Sequence, residues 1–360
     1  MKILIVKLGS IGDIVHTLPS LSAIREAIPK AEISWAVESR AAEVLRDNPV
    51  IDHLIEFDTK AMRRRLVSGE TLLYLLQQLR QLRASPFDVA IDFQGLIKSA
   101  FIAFLSKAKR RCGFAPNALR ETQSRFLLNN TFDVPLRSHV IVKNLTLAEK
   151  ALEIHGPISS DDFEFPISIS NVHEAEADKT TETVGHNFAI LNPGGGWYTK
   201  LWNPERFGAL ANELWNNYKM KSVVTYGPNE EALALRVVNS CESKQAHAIN
   251  LSLKGFYSLA KRANLYVGGD TGPTHLAVAA KTPIVGLFGP TEWWRNGSPR
   301  PEDICVERND IDCRENCHRR SCNKWICMDI EVERVLNAVE KRLNLNKPIQ
   351  ITTKESAKIG

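Results

Sequence analysis

Residues 265–290, LYVGGDTGPTHLAVAAKTPIVGLFGP, read in order as strand, loop, helix and strand. Leu265, Tyr266 and Val267 form a short apolar run. Gly268, Gly269 and Gly272 then surround Asp270 and Thr271, so the backbone can turn tightly. Pro273 suits a first helical turn, where a missing N–H costs nothing, and Thr271 is placed to cap it. The helix is expected over residues 274–281, and residues 283–288 return as a buried strand stopped by Gly289 and Pro290. This is a βαβ unit whose helix opens at the carboxyl end of a parallel strand. Unpaired N–H groups and the helix dipole favour an anion there. Asp270, Thr271 and His275 add hydroxyl-binding and proton-carrying groups. A phosphorylated or sugar-bearing ligand fits that chemistry; a capped helix with no ligand is the plainer alternative.

The same pattern recurs along the chain. Residues 2–7, KILIVK, read as a strand entering the loop Leu8-Gly9-Ser10-Ile11-Gly12-Asp13, followed by one helix from about Ile14 to Pro29. Gly9 and Gly12 lack the third glycine of a dinucleotide fingerprint, which argues against a nicotinamide cofactor. Ser10 and Asp13 lie at the strand's carboxyl edge, where an acid is also favoured simply by the helix dipole. Further strands are expected at 33–37, 53–57 and 88–93, and a long helix at 71–82. Lys60, Arg63, Arg64 and Arg65 form a basic run that reads first as a solvated helix face. A turn-rich stretch at 156–173 is the kind that joins domains. Beyond it come a strand at 188–192, the Gly194-Gly195-Gly196 loop, a helix at 204–217 and a strand at 222–226. Gly227-Pro228-Asn229 with Glu230 and Glu231 follows, then a strand ending at Leu251.

The alternation predicts an α/β protein with two doubly wound, Rossmann-like domains, residues 1–165 and 166–330. An amphipathic helix over 331–343 is expected to pack back on the N-terminal domain, ahead of a polar tail at 344–360. The 360 residues carry 46 basic and 41 acidic side chains, a net charge of +5 too mild to point to nucleic acid. No apolar run reaches membrane-spanning length and the chain starts directly in a strand, so a cytoplasmic location is expected. Of seven cysteines, Cys305, Cys313, Cys317, Cys322 and Cys327 crowd together. Cys313, Cys317, Cys322 and Cys327 lack paired C-x2-C knuckles, so a reduced loop is the first reading and a structural metal site the second.

Four motifs in order resemble the ADP-heptose:lipopolysaccharide heptosyltransferases, a GT-B glycosyltransferase family: KLGSIGDIVHTLP (7–19), IDFQGLIKSA (91–100), NPGGGWYTKLWNPERF (192–207) and GGDTGPTHLAVA with GLFGPT (268–291). The resemblance spans nearly the whole chain. IDFQGLIKSA and LRETQSRF (119–126) look like heptosyltransferase I, whereas the cysteine-rich segment (313–328) looks like heptosyltransferase II. The resemblance implies an inverting transfer of L-glycero-D-manno-heptose from ADP-heptose to Kdo-lipid A or the lipopolysaccharide inner core, at the cytoplasmic face of the inner membrane. Heptosyltransferase II, a family transferase using another nucleotide sugar, and a non-catalytic nucleotide-sugar-binding module are the alternatives.

The resemblance also assigns residues. Asp13 matches the family's base. Gly195, Gly196, Lys200, Glu230, Leu251, Asp270, Thr271, Gly272 and His275 fall to the donor, with Lys200 and backbone N–H groups meeting the diphosphate. Gly195 and Gly196 stand where heptosyltransferase I has paired threonines. Ser10, Gly12, Arg63, Arg64, Lys98 and Arg120 fall to the polyanionic acceptor. None of the four motifs carries a DxD-type metal pair, so no catalytic metal or other cofactor is expected.

Overall fold

The computed structural model describes residues 1–58, 77–83, 86–313, 317 and 319–345. The expected basic cluster with Arg63 and Arg64 lies outside the described residues, as do the first part of the 71–82 helix and nearly all of the tail. Short Ile-, Val- and Leu-rich runs bounded by glycine or polar loops become two sheets. The first holds β1 (Lys2–Val6), β2 (Glu32–Glu38), β3 (His53–Phe57), β4 (Val89–Asp92), β5 (Arg110–Phe114) and β6 (Asn130–Phe132). The second holds β7 (Phe188–Asn192), β8 (Lys221–Tyr226), β9 (Ala246–Asn250), β10 (Leu265–Gly269), β11 (Ile284–Phe288) and β12 (Ile304–Glu307). All pairings are parallel, in the orders β3-β2-β1-β4-β5-β6 and β12-β11-β10-β7-β8-β9. Each is a doubly wound sheet whose strand order reverses beside its first strand, between β1 and β4 and between β7 and β10. Loops at the carboxyl ends of those strands flank a crevice, where such sheets take ligands.

The N-terminal helix differs from expectation. It is split into α1 (Ile11–Val15) and α2 (Leu18–Ala27). Pro19 explains the break: it has no N–H to donate to a preceding turn, but it is well placed in the first turn of a new helix. Residues 77–83 are helical, and helices α3 (Ile97–Leu105) and α4 (Val140–Leu152) follow in this half. In the second half, α5 (Asn171–Val184), α6 (Pro204–Tyr218), α7 (Glu231–Ser240), α8 (Leu253–Ala260), α9 (Gly272–Ala279), α10 (Trp293–Asn296) and α11 (Val332–Leu345) flank the sheet.

The terminal helix α11 does not cross to the N-terminal half. It packs on α6, β11 and β12 of the C-terminal half. Val335, Ala338 and Val339, spaced to share one helix face, enter the core formed by Leu191, Phe207 and Leu287. Arg342, itself buried, donates from Nε to Asp303 Oδ1 at 2.9 Å. Asp303 also pairs with Arg300 and accepts from the Ile284 N–H, so the helix is fastened to two strands by a fully paired buried charge.

The halves meet along a continuous apolar core. Around it, Lys254 Nζ donates to the Arg46 carbonyl, Asn48 Nδ2 to the Pro166 carbonyl at 2.7 Å, and His139 Nε2 faces the Gly297 carbonyl at 2.9 Å. Helices α1 and α9, one from each half, pack against each other. Two glycines permit it: a Cβ on Gly12 would run into the His275 ring, and one on Gly272 would lie 3.1 Å from Ile11 Cβ.

Candidate active site

The loop after β1 is built around Asp13. Its Oδ2 accepts from the Ser10 N–H at 2.8 Å and the Ser10 hydroxyl at 3.1 Å, and its Oδ1 stands 3.6 Å from Lys7 Nζ. The carboxylate remains 40% exposed to the crevice, whereas Lys7 is buried and anchored on the Phe93 carbonyl at 2.8 Å. A solvent-reachable carboxylate backed by a buried ammonium can receive a proton from a ligand hydroxyl. The β4 end supports this loop from the side. Buried Asp92 accepts from Gln94 N–H at 2.9 Å, Gly95 N–H at 3.2 Å and Ser99 Oγ at 3.0 Å, and Gln94 Oε1 accepts the Leu8 N–H at 3.2 Å. Burial pushes the Asp92 carboxyl up to about 6 against the hydrogen bonds that favour its charge.

Across the crevice, Asp270 at the end of β10 is the centre of a buried network. Its Oδ2 accepts from Lys200 Nζ at 2.7 Å, and its Oδ1 lies 3.2 Å from His275 Nε2. Lys200 also donates to the Asp270 carbonyl at 3.0 Å. Burial alone would raise the Asp270 carboxyl, but the His275 hydrogen bond and the Lys200 charge win and hold it well below the usual carboxylate range. Lys200, expected to face a diphosphate directly, is thus already paired, and its position is set by a residue 70 positions away. His275 Nδ1 is buried with no protein partner, so the imidazole has one polar atom unspent.

The other residues that the sequence assigns to a donor frame this network. Thr271 stands at the N-cap of α9, yet its hydroxyl turns to Asn192 Oδ1 at 3.4 Å and Thr274 Oγ1 at 3.3 Å instead of capping the helix. Glu230 joins two glycine loops, accepting from Gly195 N–H at 3.0 Å and Gly227 N–H at 2.9 Å. Gly196 has open space where a Cβ would be, and Leu251 follows β9, half-buried beside the core. On the other side, Lys98 Nζ bonds to buried Glu38 at 2.7 Å, and Arg120 is exposed ahead of the turn Thr122–Leu127. The Gly12–His275 contact joins the two sets: the Asp13 loop and the Asp270 network are neighbours across the crevice.

Two features escaped the sequence reading. The first is a buried imidazole cluster: the His16 ring centroid lies 4.3 Å from that of His275 and 5.4 Å from that of His139. Burial drives the His16 pKa well below its ordinary value, and burial likewise lowers that of His139 to about 4. Both groups stay neutral in the fold but take up protons in the unfolded chain below about pH 6.5. Their contribution is therefore present above that pH and is lost as pH falls towards 4. Asp92 acts oppositely, because its raised pKa favours the fold below about pH 4 and loses that advantage as pH rises through 6. With two histidines against one carboxyl, the thermal midpoint is expected to fall by several degrees from pH 7 to pH 5, and His139→Asn to shrink the fall. Calorimetry across that range checks both; a midpoint that rises on acidification would refute the cluster's dominance.

The second is the position of the cysteine-rich segment, which the sequence reads only as a reduced loop or a structural metal site. The segment lies against the loop that carries Tyr198, Thr199 and Lys200. Thr199 Oγ1 donates to the Arg319 carbonyl at 2.6 Å, and Trp325 Nε1 donates to the Thr199 carbonyl at 3.0 Å. The Tyr198 and Trp325 rings stack with centroids 4.3 Å apart. Lys200 Nζ and the Arg320 guanidinium sit 4.4 and 5.1 Å from the Trp197 ring centre. The cysteines themselves are unlinked. Cys322 Sγ accepts the Trp325 N–H at 3.3 Å, and among the described residues no three His, Cys, Asp or Glu side chains gather as metal ligands. Only aromatic spacing could have hinted at this contact, and spacing does not say which loop a tryptophan will meet.

Comparison with known proteins agrees with this architecture. The lipopolysaccharide heptosyltransferase 1 of Pseudomonas aeruginosa is 28% identical over 326 residues, covering 89% of this chain and 87% of that protein. Among solved structures, the glycosyl transferase family 9 protein from Veillonella parvula superposes with a TM-score of 0.80 at 21% identity, covering 96% of this chain and 97% of that one. E. coli heptosyltransferase WaaC with ADP gives 0.78 at 22% identity, covering 95% and 100%. These two likenesses confirm the GT-B arrangement of two facing doubly wound sheets. The model of glycosyltransferase family 9 (heptosyltransferase) matches residues 75–326, most of the chain. The protein belongs to that family and is a glycosyltransferase.

Proposed function

We propose that this enzyme transfers L-glycero-D-manno-heptose from ADP-heptose to a Kdo-bearing, lipid-linked lipopolysaccharide inner core, with inversion and with Asp13 as base. The observation that carries the reading is the meeting, at the Gly12–His275 contact, of an exposed carboxylate from one sheet and a Lys200–Asp270–His275 network from the other. The acceptor oxygen attacks the anomeric carbon as its proton passes to Asp13. The bond from that carbon to the phosphate oxygen breaks, and ADP leaves with the electron pair. Lys200, the N–H groups opening α9 and the loop of Gly195 and Gly196 face the departing diphosphate, which needs fixed positive ends rather than mobile water. Glu230 and Leu251 are assigned to the nucleoside. Ser10, Gly12, Lys98 and Arg120 are assigned to the acceptor, with Arg63 and Arg64 as further phosphate binders. No metal or other cofactor is needed in this scheme, and the enzyme works at the cytoplasmic face of the inner membrane as a peripheral protein. Among the described residues no helix is long and apolar enough to cross a bilayer.

The test is acceptor-dependent ADP release from ADP-heptose with deacylated Kdo-lipid A. Donor binding without release would move the acceptor to one already carrying heptose. The absence of any donor binding would overturn the sugar nucleotide assignment. The cysteine-rich segment gives a second expectation. Trp325→Ala removes the hydrogen bond and ring contact that hold Thr199 and Tyr198, and should raise the donor KM about tenfold with a smaller change in kcat. An unchanged donor KM would separate the segment from donor binding.

A further inference from the structure

Helix α3 is apolar on two faces. Ala100, Ile102 and Ala103 enter the core with Leu4, Val6 and Leu82. Ile97, Phe101 and Phe104, spaced i, i+4 and i+7, stand on the outer face with 45%, 48% and 47% of their surface exposed. A soluble helix normally turns charged or polar side chains outward. Beside α3 packs the turn Thr122–Leu127, where Phe126 is 74% exposed. Other exposed large apolar side chains among the described residues are spread over different elements.

The surroundings say what this face meets. The Arg111 guanidinium lies 5.7 Å from the Phe104 ring centre and that of Arg125 lies 4.8 Å from Phe126. Lys98, Lys107, Arg120 and Arg125 are exposed on the same elements or the adjoining loops. Glu121, the acid between them, is occupied by the Ile97 N–H at 2.8 Å. Aromatic rings ringed by cations suit the boundary of an anionic bilayer: rings enter at headgroup depth while arginine and lysine meet lipid phosphates. Each basic side chain near such a surface contributes about 1 kcal/mol. A protein partner would need acidic residues to match, and a second copy of this face would bring like charges together.

We infer that the outer face of α3 with the turn at Phe126 is a membrane-docking surface for an anionic lipid bilayer. It adjoins the acceptor half of the crevice: α3 starts from the Asp92 loop, and Lys98 on its first turn reaches Glu38 at the end of β2. A bilayer seated there presents a lipid-linked acceptor's sugar to Asp13 while the lipid stays in the membrane. That last step rests on the proposed function; the docking itself does not.

The experiment is flotation of the full chain with phosphatidylethanolamine/phosphatidylglycerol vesicles and with phosphatidylcholine vesicles, without donor or acceptor. Wild type should float with the anionic vesicles only, and less so at high salt. The triple variant Phe101→Ser, Phe104→Ser, Phe126→Ser should lose about tenfold or more of this partitioning. The pair Lys107→Glu, Arg125→Glu should lose it in the anionic case. Both should keep turnover on deacylated acceptor, which reports an intact fold. Wild type that stays with the soluble fraction overturns the inference, and so does a triple variant that floats like wild type. Sedimentation showing a wild-type dimer dissolved by the triple substitution, without vesicle binding, would assign the face to self-association instead. Vesicle binding is measured without substrates, so its failure is distinct from failure of the transfer reaction.

Discussion

Asp13→Asn is expected to lower kcat about a thousandfold while leaving ADP-heptose affinity within a few-fold of wild type. General base catalysis by a placed side chain contributes about 10²–10⁴ in rate. The carboxamide keeps the size of the carboxylate and one oxygen for the Ser10 N–H, so the loop's hydrogen bonding at 2.8 Å survives. What is lost is the carboxylate lone pair that, in the proposed mechanism, takes the acceptor's proton. The donor network sits on the opposite loop and touches Gly12, not the Asp13 carboxylate, so binding of the nucleotide sugar should be spared. Steady-state ADP release and donor titration separate the two quantities. Turnover within tenfold of wild type would remove Asp13 from the chemistry, leaving it as a first-turn acid that stabilises a short helix. Asp13→Glu restores the carboxylate at a shifted position and should recover part of the rate.

Asp270→Asn is expected to lower stability by about 3 kcal/mol and kcat by about a hundredfold. Breaking a buried ion pair by removing one partner leaves an uncompensated charge, at a cost of about 3–5 kcal/mol. The lower figure applies because Lys200 keeps 14% of its side chain in contact with solvent. One carboxamide oxygen can serve Lys200 or His275, but not both in their present geometry. The loss in rate follows, in the proposed mechanism, from displacement of the ammonium assigned to the diphosphate. The double variant Asp270→Asn, Lys200→Met removes both charges and should be less destabilised than the two single effects added together. Additive effects in thermal unfolding would show that the pair does not act as a unit. Because the Asp270 carboxyl is held well below the usual range, its contribution should persist through pH 5 and fade only in stronger acid. Acid sensitivity above that pH belongs to His16 and His139.

Which loops flank the crevice was legible in the chain. Asp13, Lys200, Asp270, Thr271 and His275 all fall in, or in the first helical turn after, glycine-containing loops that follow strands, where doubly wound sheets place ligands. Their partners were not. Lys200 reads as an available cation, and only the fold shows it seated on Asp270. Glu230 reads as a ligand-binding acid, and the fold uses it to tie Gly195 to Gly227. Thr271 reads as a helix cap, and its hydroxyl is engaged elsewhere. The N-terminal helix was read as continuous because apolar periodicity runs through Pro19, whereas the backbone obeys the proline.

The sequence by itself determined the alternation of strand and helix, the two doubly wound halves and the glycine-containing loops at their strand ends. Those features arise from side-chain periodicity, turn chemistry and proline and glycine geometry, which act over a few residues. Tertiary structure alone decided that α11 stays with the C-terminal sheet, that His16, His139 and His275 cluster, that Trp325 closes on Thr199 and that the outer face of α3 is left uncovered. Each of these depends on which surfaces remain after distant elements have packed. An apolar stripe states only that it prefers to leave water; what it meets is settled by the shape of the rest of the chain.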